Sequence, residues 1–232
     1  MPRKKVVFVI VEGPSEDEAL SLLLSKIYKR AEVFVYIEHG DITTQSKSSN
    51  ILANIGNLVK RYAKSNHFDR VHFQEIIHIV DTDGVYVTDE TINEDLSAES
   101  PIYTLTRIFT SDVPGILSRN RVKRDCLDKI SSTSKIWGIP YQAYYMSCNL
   151  DHVLYNKMNS SDEEKEKDAI KFAKRYKEDV SGFVKFVLCS DFSVKEEYRK
   201  SWEYIRYGLH SLERHTNFCI CLNRALSLKC VL

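Results

Sequence analysis

The sequence predicts an α/β fold, a mostly parallel sheet flanked by helices, and two observations carry that prediction. First, two β-branched apolar runs, Lys5–Val11 (KVVFVIV) and residues 76–80 (IIHIV), stop abruptly at acid and glycine. The first ends in Glu12-Gly13 and the second in Asp81-Thr82-Asp83-Gly84. Short apolar runs bounded by turn residues suit strands buried on both faces, as in a parallel sheet. Second, segments of helical period lie between the strand-like runs, and strands alternating with helices call for right-handed crossovers between parallel neighbours.

Taken in order, Lys5–Val11 is the first strand. Ser15 with Glu18 three residues on matches a capping box. Ala19, Leu20, Leu22, Leu23 and Ile27 then make an apolar face, so a helix follows. Glu16 and Asp17 occupy its first turn. Residues 33–37 form a short strand, and His39-Gly40-Asp41 through Ser49 a polar loop. Ile51, Leu52, Ile55, Leu58, Val59 and Tyr62 recur at helical spacing and place a second helix over 50–65. After the strand at 76–80, residues 81–99 hold seven acidic residues and no Lys or Arg, and read as a loop. Charge then reverses: residues 119–135 carry six basic residues against two acidic ones on an expected helix. Residues 140–146 (PYQAYYM) are a fourth strand and 149–157 a helix start. Residues 161–178 are a charged helix with a narrow stripe of Ile170, Phe172, Ala173 and Tyr176. The remainder reads helical, through Trp202, Tyr204, Ile205, Leu209 and Leu212. Because the βα pattern ends near residue 158, composition divides the chain into an α/β domain over 1–157 and a helical C-terminal appendage over 158–232.

With 232 residues, 43% hydrophobic and 28% charged, the chain has the profile of an ordinary globular protein with a sizeable core. A net charge of +1 gives no global pull toward nucleic acid, so any basic surface must be local. Six cysteines (126, 148, 189, 219, 221, 230) include no CxxC pair, and the opening Pro-Arg-Lys-Lys leads into a strand, unlike a signal peptide. A reduced, cytoplasmic protein is expected. No stretch approaches the roughly 20 apolar residues that span a bilayer.

Ligand sites in parallel sheets lie at the carboxyl ends of the strands, which places Glu12, Asp81 and Asp83 at the mouth of one. The strands ending at Val11 and Val80 are therefore expected to be adjacent and parallel. Side chains alternate along an extended chain, so positions 81 and 83 should face the same way, with Gly84 freeing the backbone to turn. Converging carboxylates repel and one protonates, unless a divalent cation between them keeps both ionised.

These residues resemble the toprim domain, whose pattern is one Glu and one Asp-x-Asp. It is shared by topoisomerases, primases, ribosomal-RNA maturation nucleases and the overcoming-lysogenization-defect (OLD) nucleases. The string VEGPSEDEAL is most similar to the nuclease branch, where further acids follow the glycine-flanked Glu; here they are Glu16 and Asp17. The resemblance covers about residues 5–150. It implies a metal-dependent nuclease in which Glu12 is general acid or base and Asp81 and Asp83 hold Mg²⁺ or Mn²⁺. Glu16 and Asp17 would complete a second ion site, for two ions in all. Arg119, Arg121, Lys123 and Arg124 are the local candidates for holding the phosphodiester backbone. SCNLDHVL (147–154) is similar to an Asn-Pro-aromatic-Glu segment of RloB-like relatives linked to phage defence. Leu150 stands where those have Pro and Asp151 where they have Glu, which makes Asp151 a further site candidate. Nucleic acid is the implied partner, and defence against phage or other mobile elements the implied context. With no P-loop in the chain, any ATPase would be a separate protein.

Other readings compete. Acids after strands also serve as turn and cap residues, Glu16 and Asp17 suit the positive end of a helix dipole, and a basic run often makes a solvated face. IVDTDGV also resembles the first motif of haloacid-dehalogenase-like phosphatases, with Asp81 as nucleophile. That motif usually comes early, no GDxxxD pair follows residue 84, and Glu12-Gly13 would go unexplained. A non-catalytic toprim-fold module binding nucleic acid or a protein is a third reading. His210, His215, Cys219 and Cys221 match no standard zinc-finger spacing, and His78 and His152 read as structural.

Overall fold

The chain runs β1 (Lys5–Val11), α1 (Pro14–Ile27), β2 (Ala31–Ile37), α2 (Ile42–Gln45), α3 (Ile51–Ser65), β3 (Phe73–Asp81), β4 (Ile92–Glu94), β5 (Ile102–Tyr103), β6 (Ile108–Thr110), α4 (Val113–Ser131), β7 (Lys135–Ile136), β8 (Ile139–Met146), α5 (Leu150–Tyr155), α6 (Asp162–Tyr176), α7 (Val180–Cys189), α8 (Tyr198–Ile205) and α9 (Phe218–Cys230). This is a computed structural model, and it describes residues 5–29, 31–37 and 41–230. Pro2-Arg3-Lys4 at the start and His39-Gly40 of the expected polar loop lie outside the described residues.

Among the described residues the main sheet has five strands in the order β2-β1-β3-β8-β7. β1 pairs in parallel with β2 on one side and β3 on the other, β8 runs parallel to β3, and the two-residue β7 closes the edge antiparallel. β1 and β3 are thus adjacent and parallel, with Phe8 opposite Ile76 and Ile10 opposite His78. Alternation along each strand feeds two cores. Val7, Val9 and Val11 of β1, Ile77 and Ile79 of β3, and Tyr144 and Met146 of β8 face α1, α5, α6, α7 and α9. Val6, Phe8, Ile10, Ile76, Val80, Tyr141 and Tyr145 face α3, α4 and α8. Both sheet faces are covered, and these apolar runs have no polar side because neither face meets water.

The structure departs from the sequence-based expectations at several elements, among them the helix α2 inside the expected polar loop. The helices after residue 158 are not an appendage: Phe172 of α6, Phe183 of α7 and Leu222 of α9 share one core with β1, while Trp202 and Ile205 of α8 complete the other. Residues 206–217, expected to continue a helix, run as turns before α9 begins at Phe218. The acidic stretch 81–99 is not all loop. β4 from it joins β5 and β6 in a second, three-stranded sheet over a small core of Val87, Ile92, Ile108, Ile116 and Leu212. Finally, α1 starts at Pro14 with Gly13 as N-cap, so Ser15 is already helical and its capping box is not formed. Proline at the first helical position supplies a preset φ and lacks only an N–H that would be unpaired there. No helix among the described residues is long and apolar enough to cross a membrane.

Candidate active site

The parallel strands carry their carboxyl ends to one rim, and acids gather there from three of them. Glu12 follows β1, Asp81 ends β3, and Asp41 comes four residues after β2. The backbone N–H of Asp81 donates to Glu12 Oε1 at 3.1 Å, so the strand pairing itself locks the two residues together. Together with Glu16 they line a cleft of about 640 Å³, walled on the far side by Asp162, Lys165, Glu166 and Ile170 of α6. Burial pushes the Asp81 carboxyl well above the usual range, and Glu12, Glu16 and Asp83 add repulsion that Lys123 only partly offsets. Burial likewise raises Glu12 strongly, against the attraction of Lys123. Glu16 is raised by burial, while the backbone N–H groups of Glu16 and Gly13 draw its carboxylate back over the turn. Asp17 sits in the same helical turn and does not line the cleft.

The turn after β3 decides where Asp83 goes. Thr82 N–H donates to Met146 O at 3.0 Å and Asp83 N–H to Cys148 O at 2.8 Å, while Thr82 Oγ1 donates to Ser211 O at 3.0 Å. Asp83 and Gly84 both adopt left-handed backbone, with φ of 47° and 65°. At Gly84 only glycine fits, since a Cβ would lie 2.5 Å from Leu212 Cδ2. Extended alternation therefore ends at Asp81, two residues short of where the sequence reading carried it. Asp83 turns instead to Lys123, whose Nζ lies 2.6 Å from Asp83 Oδ2, 2.6 Å from Asp41 Oδ2 and 3.8 Å from Glu12 Oε1. Asp41 is the N-cap of α2 and accepts from Thr43 N–H at 2.7 Å. Burial disfavours its charge, but Lys123 and Thr43 more than compensate and hold its carboxyl below the usual range.

The expected phosphate-binding cations are distributed differently. Lys123 is fully buried; it belongs to the inward face of α4 formed by Ile116, Asn120, Lys123, Leu127 and Ile130, and its ammonium is occupied by carboxylates. It cannot grip a phosphodiester from there. Arg119 donates to Tyr103 Oη at 2.9 Å and to Asp83 O at 3.4 Å, and Arg124 donates to Val85 O at 2.9 and 2.6 Å, so both brace the aspartate turn. Arg121 is exposed. Asp151, in α5, is buried; desolvation lifts its carboxyl to about 6, with Glu16 adding to the shift and Lys165 opposing it. It is within electrostatic reach of the cleft without forming its wall. Asp41 and the cleft-wall residues Asp162, Lys165 and Glu166 of α6 were not anticipated. Asp41 had a usable signal, an acid shortly after a strand like the other two; Lys165 had none, since only the packing of α6 on α1 brings it to the cleft.

His78 and His152 are both buried in the protein. His78 Nδ1 lies 2.8 Å from Tyr141 Oη. Cys219 and Cys221 are buried free thiols. Among the described residues no three His, Cys, Asp or Glu side chains are already gathered at metal-holding distances. No protein-family model matches the chain, and neither curated proteins nor solved structures give a match.

Proposed function

We propose that this protein is a metal-dependent nuclease of toprim type, hydrolysing phosphodiesters at the Glu12–Asp81 cleft. The observation that supports this best is the holding of the Glu12 carboxylate on the backbone N–H of Asp81, two part-buried acids at the ends of adjacent parallel strands, with more negative charge around them than Lys123 can balance. Such charge is costly unless protonated or met by a cation. The donor set fits a hard ion: Asp81, Glu16 and Glu12 offer only carboxylate oxygens, as Mg²⁺ and Mn²⁺ prefer. An ion held there would polarise a phosphodiester oxygen and sharpen the acidity of a water.

The chain's own groups divide the remaining work. Glu12 is fixed through Oε1 by the Asp81 N–H, which leaves Oε2 to take up or release a proton, and burial, by raising its pKa, favours the protonated form. Lys165, in the cleft wall, and the exposed Arg121 of α4 would be the cations that meet phosphate. Arg119 and Arg124 keep the aspartate turn in register. Defence against phage or other mobile elements, with any ATPase on a separate chain, is the setting the resemblance suggests.

The test is cleavage of single- and double-stranded DNA and of structured RNA, with Mg²⁺, with Mn²⁺ and with EDTA, for wild type, Glu12→Gln and Asp81→Asn. Cutting that needs the metal and both carboxylates is expected. Binding without cutting would favour a toprim-fold binding module, and hydrolysis of phosphomonoesters alone a phosphatase with Asp81 as nucleophile.

A further inference from the structure

We propose that the cavity between α1, α7 and α9 is a binding site for a single-chain anionic amphiphile, a long-chain carboxylate whose chain lies inside and whose head meets lysines at the mouth. It is a second site, and it stands independently of the nuclease reading. α1 keeps the two apart: Pro14, Glu16 and Glu18 near its start line the acidic cleft, while Lys26 and Ile27 at its end line this cavity.

The walls are apolar for a reason visible in α7, which reads VSGFVKFVLC. Phe183 and Val187 turn into the core, and Val180, Val184 and Leu188, four residues apart on a neighbouring face, are only partly buried. A helix that is apolar on more than one face ordinarily has each of them covered; here one looks into an open space. With Ile27 of α1 and Leu226 of α9, those three side chains line a volume of about 780 Å³, the size of a pocket for one small ligand, roughly 300–1,000 Å³. The charges around it have one sign. Lys26, Lys29 and Lys185 line it, and no Asp or Glu does among the described residues. Lys26 is engaged already, donating to Lys177 O and lying 3.7 Å from Glu178 Oε2. Lys29 and Lys185 are exposed, and neither is paired with an acid among the described residues. A small anion would leave the apolar walls bare, and an uncharged apolar molecule would leave both ammonium groups unused. A chain with an acid head meets both, and the ligand-sized volume favours one such molecule over a partner's helix.

Isothermal calorimetry on the full chain with octanoate, decanoate and dodecanoate, each below its micelle concentration, tests this, with decanol as the uncharged probe. One carboxylate per chain is expected, with affinity rising about threefold to fourfold for each added methylene. The double variant Lys29→Glu with Lys185→Glu, altered only at exposed positions, should weaken decanoate about tenfold and leave decanol unchanged. Leu188→Glu, which sets a carboxylate in the wall, should weaken every chain; if it does not fold, the double variant and the chain-length series decide. No saturable binding of dodecanoate, decanol bound as tightly as decanoate, or carboxylate binding untouched by the two lysine changes would overturn the proposal. So would co-sedimentation with phosphatidylglycerol vesicles without uptake of monomeric decanoate, which would make this face a membrane-docking surface.

Discussion

Glu12 and Asp81 share one hydrogen bond but have different tasks in the proposed reaction, and substitution separates them. Glu12→Gln keeps shape and the bond from Asp81 N–H while losing the proton, so cleavage should fall by about 10²–10⁴-fold with substrate affinity retained. Asp81→Asn should weaken Mn²⁺ binding together with turnover, read by calorimetry beside the cleavage assay. A different residue contributes to acid stability. Burial drives His78 down to about 4, against about 6.5 in an unfolded chain. Between those values the unfolded chain binds a proton that the folded one refuses. The His78 contribution is therefore complete above pH 6.5 and is lost as pH falls toward 4, by up to about 3 kcal/mol. Urea melts from pH 7 to 4 should show this decline, and His78→Gln, which can still meet Tyr141 Oη, should flatten it. Equal slopes for the two proteins would place the titration elsewhere.

At the scale of elements, α4 shows what the sequence makes legible and what it hides. The basic run is evident in composition, yet Ile116, Asn120, Lys123, Leu127 and Ile130 fall at helical spacing, and that periodicity turns Lys123 inward and Arg121 outward. Charge counting alone treats the two as equivalent. A similar limit applies to the aspartates: alternation holds along β3 and stops at Asp81, where left-handed backbone at Asp83 and Gly84 redirects the next carboxylate. The contribution of α6 is invisible locally, because its apolar stripe predicts burial without naming what it covers. Arg121→Ala and Lys165→Ala should each weaken nucleic-acid binding and reduce the slope of log affinity against log salt by about one. Fluorescence anisotropy from low to high salt measures both, and unchanged slopes would remove these residues from the binding surface.

For the whole molecule, the parallel sheet and its strand neighbours were readable because buried strands leave an unbroken apolar signature. The second sheet was not, since strands of two or three residues are too short to show a period. The roles of α6, α7 and α9 were missed because an amphipathic helix does not declare whether it covers its own domain or stands apart. Excess charge at the rim sets one further expectation. An ion that binds only the native state should raise the melting temperature, with about 2.7 kcal/mol of stabilisation at 100-fold excess over its dissociation constant. Scanning fluorimetry with Mn²⁺ and Mg²⁺ against EDTA reads this, and Asp81→Asn should abolish most of the shift.

The fastening of the aspartate turn has a consequence for the protein's birth. Thr82 Oγ1 is held by Ser211 O, 129 residues downstream, and Cys148 N–H and Ser147 N–H are held by Ser211 O and His215 O. Gly84 is packed under Leu212. Every acid of the rim therefore leaves the ribosome long before the segment that sets its geometry. A half-made chain carries the carboxylates without the turn that aims them, and the rim takes its final geometry only once residues 211–215 have been made.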